Sequence, residues 1–390
     1  MSDASNLPEL SLLRRGATIV GGAGVVASVV GALLDPAQFF HSYLFAYLYW
    51  VGLSIGCLGV VMVYHLTGGA WGVAVRRLLE AGAGTLPLMA LLFVPLLFGL
   101  SQIYDWTHPE FMLADAVLRS KMPYLNAPFF TSRAVGYFAA WLALALLLDR
   151  WSRAQDRTGD PRFAVLMRKL SGGGLVLLAF TVTFAAFDWV MSLEPHWFST
   201  IFGMLFLAGQ GLGAMAFIIA VAYPLSERPE VGRALAPTVL NDLGNLMLAF
   251  VMIWAYLAFS QLLIIWAGNL PEEIPWYLHR IGGGWDLLAI ALAVFYFAVP
   301  FLVLLGRRNK RQHRRLATIA IGVLVARGLD LFLLTAPEFY RGKLTVHWLD
   351  VAALAGLGGL WLTMFLWRLG SRPLLAPHDP ELAPALARRR

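Results

Sequence analysis

Ten runs of about 20 apolar residues, each long enough to cross the hydrocarbon core of a bilayer, leave this chain few folds to choose from. They lie near residues 16–34, 43–64, 82–103, 129–148, 171–193, 198–223, 243–267, 285–305, 316–335 and 346–368. Lipid offers backbone amides no water, so such runs satisfy their hydrogen bonds internally, as helices. The expected fold class is all-α integral membrane with ten transmembrane helices. Composition agrees: 59% of residues are hydrophobic, mean hydropathy is +0.69, and 14% are charged, against about 25% in a soluble domain.

The basic residues orient the runs. With the N-terminus inside, 23 of the 30 Lys and Arg fall in inward connections and ends. Only Arg119, Lys121, Arg133, Arg280, Arg341 and Lys343 fall outside, and Arg327 lies within a run. This is a strong positive-inside bias, and it places both termini in the cytoplasm. It also accounts for the net charge of +7 without nucleic acid. Residues 1–370 read as one membrane domain. Residues 371–390, rich in Pro and Ala, read as a disordered cytoplasmic tail. The first run is long for a cleaved leader and lacks an A-x-A site, so it reads as a retained span.

The longest outward connection, 104–128, contains "DAVLRSKM", which fits a short amphipathic helix on the membrane surface. Trp, Tyr and Pro crowd the outward ends as an aromatic belt. Gly52-x-x-x-Gly56 and the group Gly209, Gly211 and Gly213 predict close helix packing. The triple glycines at 172–174 and 282–284 read as helix starts, not phosphate loops.

Redox cofactors find no ligands here. The one cysteine, Cys57, excludes an internal disulfide, a four-cysteine cluster and a CxxCH haem site. All eight histidines lie in connections or at run ends, so no haem is expected between helices. No HExxH motif suggests a metal. What remains is a set of ionisable residues in or beside the runs, each costing roughly 2.5–3.5 kcal/mol at a helix centre and so each a functional candidate. Asp188 falls about 25 Å along the fifth run; it is either a proton carrier or an interfacial acid bonded to a neighbour. Arg327 and Asp330 are three apart and share a helix face, either as a self-neutralising pair or as a relay. Asn241, Asp242 and Asn245 read as an N-cap group or as an inner proton entrance that Gln210 and Gln261 could continue. Asp105, Glu194, His196, Asp286, His347 and Asp350 border the outer face, where histidine can shuttle protons. His108 and His279 read as polar loop ends.

The stretch "FDWVMSLEPHWFSTIFGM" at 187–204, supported by "HPEF" at 108–111, resembles the second large membrane subunit of alternative complex III. That complex is a bacterial quinol:cytochrome c oxidoreductase, and the subunit is related to the polysulfide-reductase (NrfD-like) membrane anchors. The resemblance rests on Asp188-Trp189 and on Ser192 to Phe198. It implies two four-helix bundles, from runs two to five and six to nine, with the first and last runs peripheral. It also implies a sister ten-span subunit, c-type haems and iron–sulfur clusters on partner chains, and a quinol pool as reductant. For this chain it implies no redox cofactor, but a proton path, a quinone contact or a scaffold. The proton-path candidates are Asp188, Glu194, His196, Asp242, Arg327, Asp330 and Asp350. The alternative is a stand-alone proton-coupled secondary transporter. Such proteins carry matched interrupted helices, and Pro87 and Pro95 have no clear counterpart in the second half.

Overall fold

A computed structural model describes residues 8–387. Ten helices in it are long and apolar enough to cross a membrane: α1 (Leu10–Leu34), α2 (Pro36–Thr67), α3 (Ala70–Phe98), α4 (Ala127–Thr158), α5 (Arg162–Leu193), α6 (Phe202–Leu225), α7 (Pro237–Gly268), α8 (Trp285–Leu305), α9 (His313–Phe339) and α10 (Trp348–Gly370). No strand occurs among the described residues. The protein is thus a multi-pass membrane protein.

Local sequence sets several boundaries. Asp35 caps α2, its side chain accepting from the Gln38 amide, with Pro36 in the first turn. Asn126 caps α4 in the same way, and Gly159 ends it in the left-handed region. His347 and Asp350 form a capping box at the start of α10. The short helix expected in the 104–128 connection forms at Ala116–Lys121, capped by Asp115.

α2 and α6 occupy the centre. Their most apolar stretches are 83% and 78% buried, against 22% for α1, α7 and α8. α2 packs on α3, α5, α6 and α10, and α6 packs on α5, α7 and α9 as well. Small residues make the α2–α6 contact possible. A Cβ on Gly56 would lie 2.2 Å from the Gln210 carbonyl oxygen, and one on Gly52 would lie 1.9 Å from Gln210 Oε1. The Gly52–Gly56 pair therefore does the close packing its spacing predicts. α1 lies chiefly along α10.

Three sequence expectations need correction. The third span starts at Ala70, not near 82, and a turn at Gly84–Thr85 divides it. Its first half carries Arg76 and Arg77, which look like loop charges in the sequence yet are 1% and 4% exposed. The triple glycine at 172–174 lies inside α5; only 282–284 precedes a helix.

The third correction explains the first. The tail expected to be disordered is folded through residue 387, with a helix at Leu382–Ala387. Asp379 accepts from Arg76 Nη1 at 2.6 Å and from the Tyr64 hydroxyl at 2.7 Å. Arg372 pairs with Asp149 at 2.8 Å. Glu80 bridges Arg76 at 2.8 Å and Arg77 at 2.6 Å, and Asp156 takes the far side of Arg77. Buried charges persist only when paired and hydrogen-bonded. The tail supplies part of that pairing.

Replacing Gly56 with Ala should destabilise the protein by about 1–3 kcal/mol, since the new methyl has no space. Gly136, with nothing within 4 Å of its missing Cβ, is the control. Gly136→Ala should be neutral or slightly stabilising by about 0.5–1 kcal/mol. Thermal unfolding of both variants in one detergent compares them.

Candidate functional site

The chemistry is distributed over three places. The first is the middle of α9. Arg327 and Asp330, one turn apart, form a buried ion pair in which Arg327 Nη1 donates to Asp330 Oδ2. The two residues are 2% and 6% exposed. Gly209 of α6 lets the guanidinium lie against its backbone; a Cβ there would sit 2.3 Å from Arg327 Nη1. Two further guanidinium nitrogens, Nε and Nη2, have no hydrogen-bond partner. Tyr296 of α8, fully buried, stands beside Arg327, and its hydroxyl is also unpartnered. The Tyr296 ring meets Trp254 of α7 edge to face at 4.5 Å. Tyr296 sits in a π-helical segment, Ala293–Ala298, of the kind often found at functional positions. Gln210, next to Gly209, turns towards α2 and leaves Nε2 unpartnered.

The second place is Asp188, at the end of α5 and wholly buried. Arg133 of α4 clasps it with two bonds, Nε to Oδ2 at 2.8 Å and Nη2 to Oδ1 at 2.9 Å. The Tyr137 hydroxyl adds a third at 2.7 Å. Arg133 donates its remaining bond to the Tyr124 carbonyl and lies over the Tyr124 and Phe129 rings, 3.8 and 4.2 Å from their centroids. Fork-on-fork pairing of this kind is strong and directional. The carboxylate read as a lone acid is therefore one half of an ion pair.

The third place is the turn after α5. The sequence suggests an acid–histidine pair of Glu194 and His196, but the two side chains have different partners. His196 Nε2 meets Asp115 Oδ2 at 2.6 Å on a half-exposed surface. Glu194 turns inward to His279, whose Nδ1 lies 3.1 Å from Glu194 Oε1 and 3.6 Å from Glu338 Oε1. Burial, and then the Glu338 carboxylate beside it, push the Glu194 carboxyl up to about 8. Arg280 lies nearby, 3.4 Å from Glu338 and 3.9 Å from Glu194. Its main bonds go elsewhere, to the Trp276, Leu333 and Leu334 carbonyls, while its plane stacks on Trp276.

Two candidates stay apart from these clusters. Asp350 is buried, accepting from the Ser42 hydroxyl at 2.6 Å and the His347 amide at 2.8 Å; its bonds are those of a helix cap. Asp242 is exposed on the second turn of α7. The N-cap reading of Asn241, Asp242 and Asn245 fails, because α7 begins at Pro237. Asn245 instead accepts from Lys310 at 2.6 Å. Gln261 accepts from Ser199 at 3.0 Å.

Sequence reasoning missed four residues. Arg133 is counted there as an orienting charge, although its place one and a half turns inside a span is a signal of burial. Glu338 lies in the "APEF" that echoes "HPEF". His279 and Tyr296 carry no sequence signal of their own. No protein-family model and no curated protein matches the chain.

Breaking one partner of a buried pair strands the other charge and costs about 3–5 kcal/mol, whereas replacing both by apolar residues is often close to neutral. Arg133→Met should accordingly destabilise strongly, and Arg133→Met with Asp188→Leu should regain most of the loss. A double-mutant cycle by chemical unfolding measures the difference.

Proposed function

We propose that the chain is a non-haem membrane subunit of a bacterial quinol:cytochrome c oxidoreductase of the alternative complex III type, and that it carries protons there. The observation that carries this reading is the centre of α9. A charged pair is held inside a helix bundle, with Arg327 nitrogens and the Tyr296 hydroxyl left without protein partners. Buried polar groups of this kind are satisfied by bound water, and water between an acid and a phenol is a medium for proton transfer. An intramembrane ionisable residue that faces the bundle is a functional group by default.

The rest of the proposal follows from the sequence resemblance. The subunit lies in the cytoplasmic membrane with both ends inside. It has two four-helix bundles, α2–α5 and α6–α9, an arrangement supported by α2 packing on α3 and α5 and by α6 packing on α7 and α9. Partner chains hold c-type haem and iron–sulfur clusters, a sister ten-span subunit adjoins it, and quinol from the pool supplies the electrons. This chain's part is proton movement, with quinone contact or scaffolding beside it. The proton reading rests on Arg327, Asp330 and Tyr296, with Asp188 nearer the outer face. Asp242 and Asp350 have no part in it.

Purification of the tagged chain from its native membranes should bring haem-bearing chains with a cytochrome spectrum. A colourless chain, alone or as a homo-oligomer, overturns the complex and favours a transporter, for which the divided α3 would then be the first region to probe. In the assembled complex, Asp330→Asn should lower protons released per quinol or slow turnover by tenfold or more (about 1.4 kcal/mol in the barrier). Unchanged stoichiometry and rate in a fully assembled variant would exclude the pair from the path.

A further inference from the structure

We propose that Glu194, His279 and Glu338 form a binding site for a divalent transition-metal ion of the zinc class. The proposal goes beyond proton movement and does not depend on it. The three residues come from distant parts of the chain: the turn after α5, the connection before α8, and the end of α9. Each offers one ligand atom, and these atoms lie within 4.8 Å of one another. His279 Nδ1 is 3.1 Å from one carboxylate oxygen and 3.6 Å from the other. Those separations bracket the roughly 3.4 Å edge of a tetrahedron with zinc–ligand bonds of about 2.1 Å.

A second observation points to a ligand. Glu194 is 8% exposed and its Oε2 has no hydrogen-bond partner; His279 Nδ1, close as it is to two carboxylates, has none either. His279 Nδ1 and Glu194 Oε1 thus lie 3.1 Å apart with the ring nitrogen unbonded, while the other oxygen of the same carboxyl is also left without a partner. Arg280 does not fill that role. It is anchored by three backbone carbonyls, and its approaches to the two carboxylates, 3.4 and 3.9 Å, are long. Arg341 Nη2 also approaches Glu338, at 3.3 Å from Oε2, so what the site lacks is not positive charge but a partner for the Glu194 oxygen and the imidazole nitrogen.

The donor set selects the ion. Calcium takes six to eight oxygens and magnesium a near-octahedral oxygen shell; two carboxylates and an imidazole supply neither. Imidazole with carboxylate suits zinc and its first-row neighbours. Three protein ligands leave one coordination position for water, and the His279 side chain, 27% exposed, gives access from the surface. An ion held there would tie the α5 exit to the end of α9.

The test uses the full-length protein in detergent, equilibrated with zinc chloride, dialysed, and analysed for metal by mass spectrometry. One zinc per chain is expected, with calcium and magnesium failing to displace it. Cobalt(II) at the same site should show the intense ligand-field absorption of a low-coordinate ion. Glu194→Gln and His279→Ala should each lower affinity at least tenfold and abolish that spectrum. His279 is partly exposed in a connection, so its variant should fold, and the thermal midpoint checks this. His196→Ala, which disturbs the neighbouring His196–Asp115 pair, should leave zinc binding intact. Retention of no zinc overturns the proposal and leaves the two carboxylates as a proton-sharing pair. Zinc retained equally in Glu194→Gln and His279→Ala, or lost only in His196→Ala, also overturns it.

Discussion

The contact of α2 with α6 is the constraint on which the arrangement depends. Lipid tails are as apolar as leucine, so helices in a membrane are held together by close packing and not by escape from water. Gly52 and Gly56 bring the α2 backbone against Gln210 and Ala214. The other spans are then built outwards: α3 and α5 on α2, α7 and α9 on α6, and α10 on α2. The same close approach leaves Gly209 open on the neighbouring face of α6, and that opening admits the Arg327 guanidinium. Packing and chemistry are in this way set by adjacent residues of one helix.

Charge is admitted into the protein under one rule, applied with different completeness at each site. Around Arg76 and Arg77 the acids Glu80, Asp156 and Asp379 pair every guanidinium charge and leave a single nitrogen, Arg77 Nε, without a hydrogen bond. Arg133 and Asp188 are also mutually satisfied, with Tyr137 completing the carboxylate. These sites read as structural. At Arg327 and at Glu194 the pairing is incomplete, and unpartnered atoms remain. A half-satisfied buried network is unstable unless something mobile completes it, which is why the proton and the metal ion are assigned to these two places.

The helices were legible in the sequence because lipid thickness imposes a length that composition reveals. Gly52–Gly56 packing and the Arg327–Asp330 pair were legible too, since both depend on spacing within one helix. Pairing across the chain was not. Arg133 lies 55 residues from Asp188, and no periodicity links them. Glu194 and His196, two apart, looked like one motif, yet the turn sends their side chains to different neighbours. The start of α3 was misread for the same reason. Arg76 and Arg77 resemble loop residues until the tail brings Asp379 to meet them.

The position of Arg327 has an electrical consequence. It is near the midpoint of the 27-residue α9, where the voltage across a membrane acts on any net charge with about 2.3 kcal/mol per elementary charge per 100 mV for full crossing. Paired with ionised Asp330, the arginine presents a dipole and no net charge, and the field has little hold on it. A proton added to Asp330 changes the site from neutral to singly positive. Occupancy of that one carboxyl would then depend on the membrane potential, and a structurally quiet ion pair would become the point at which the bundle senses voltage.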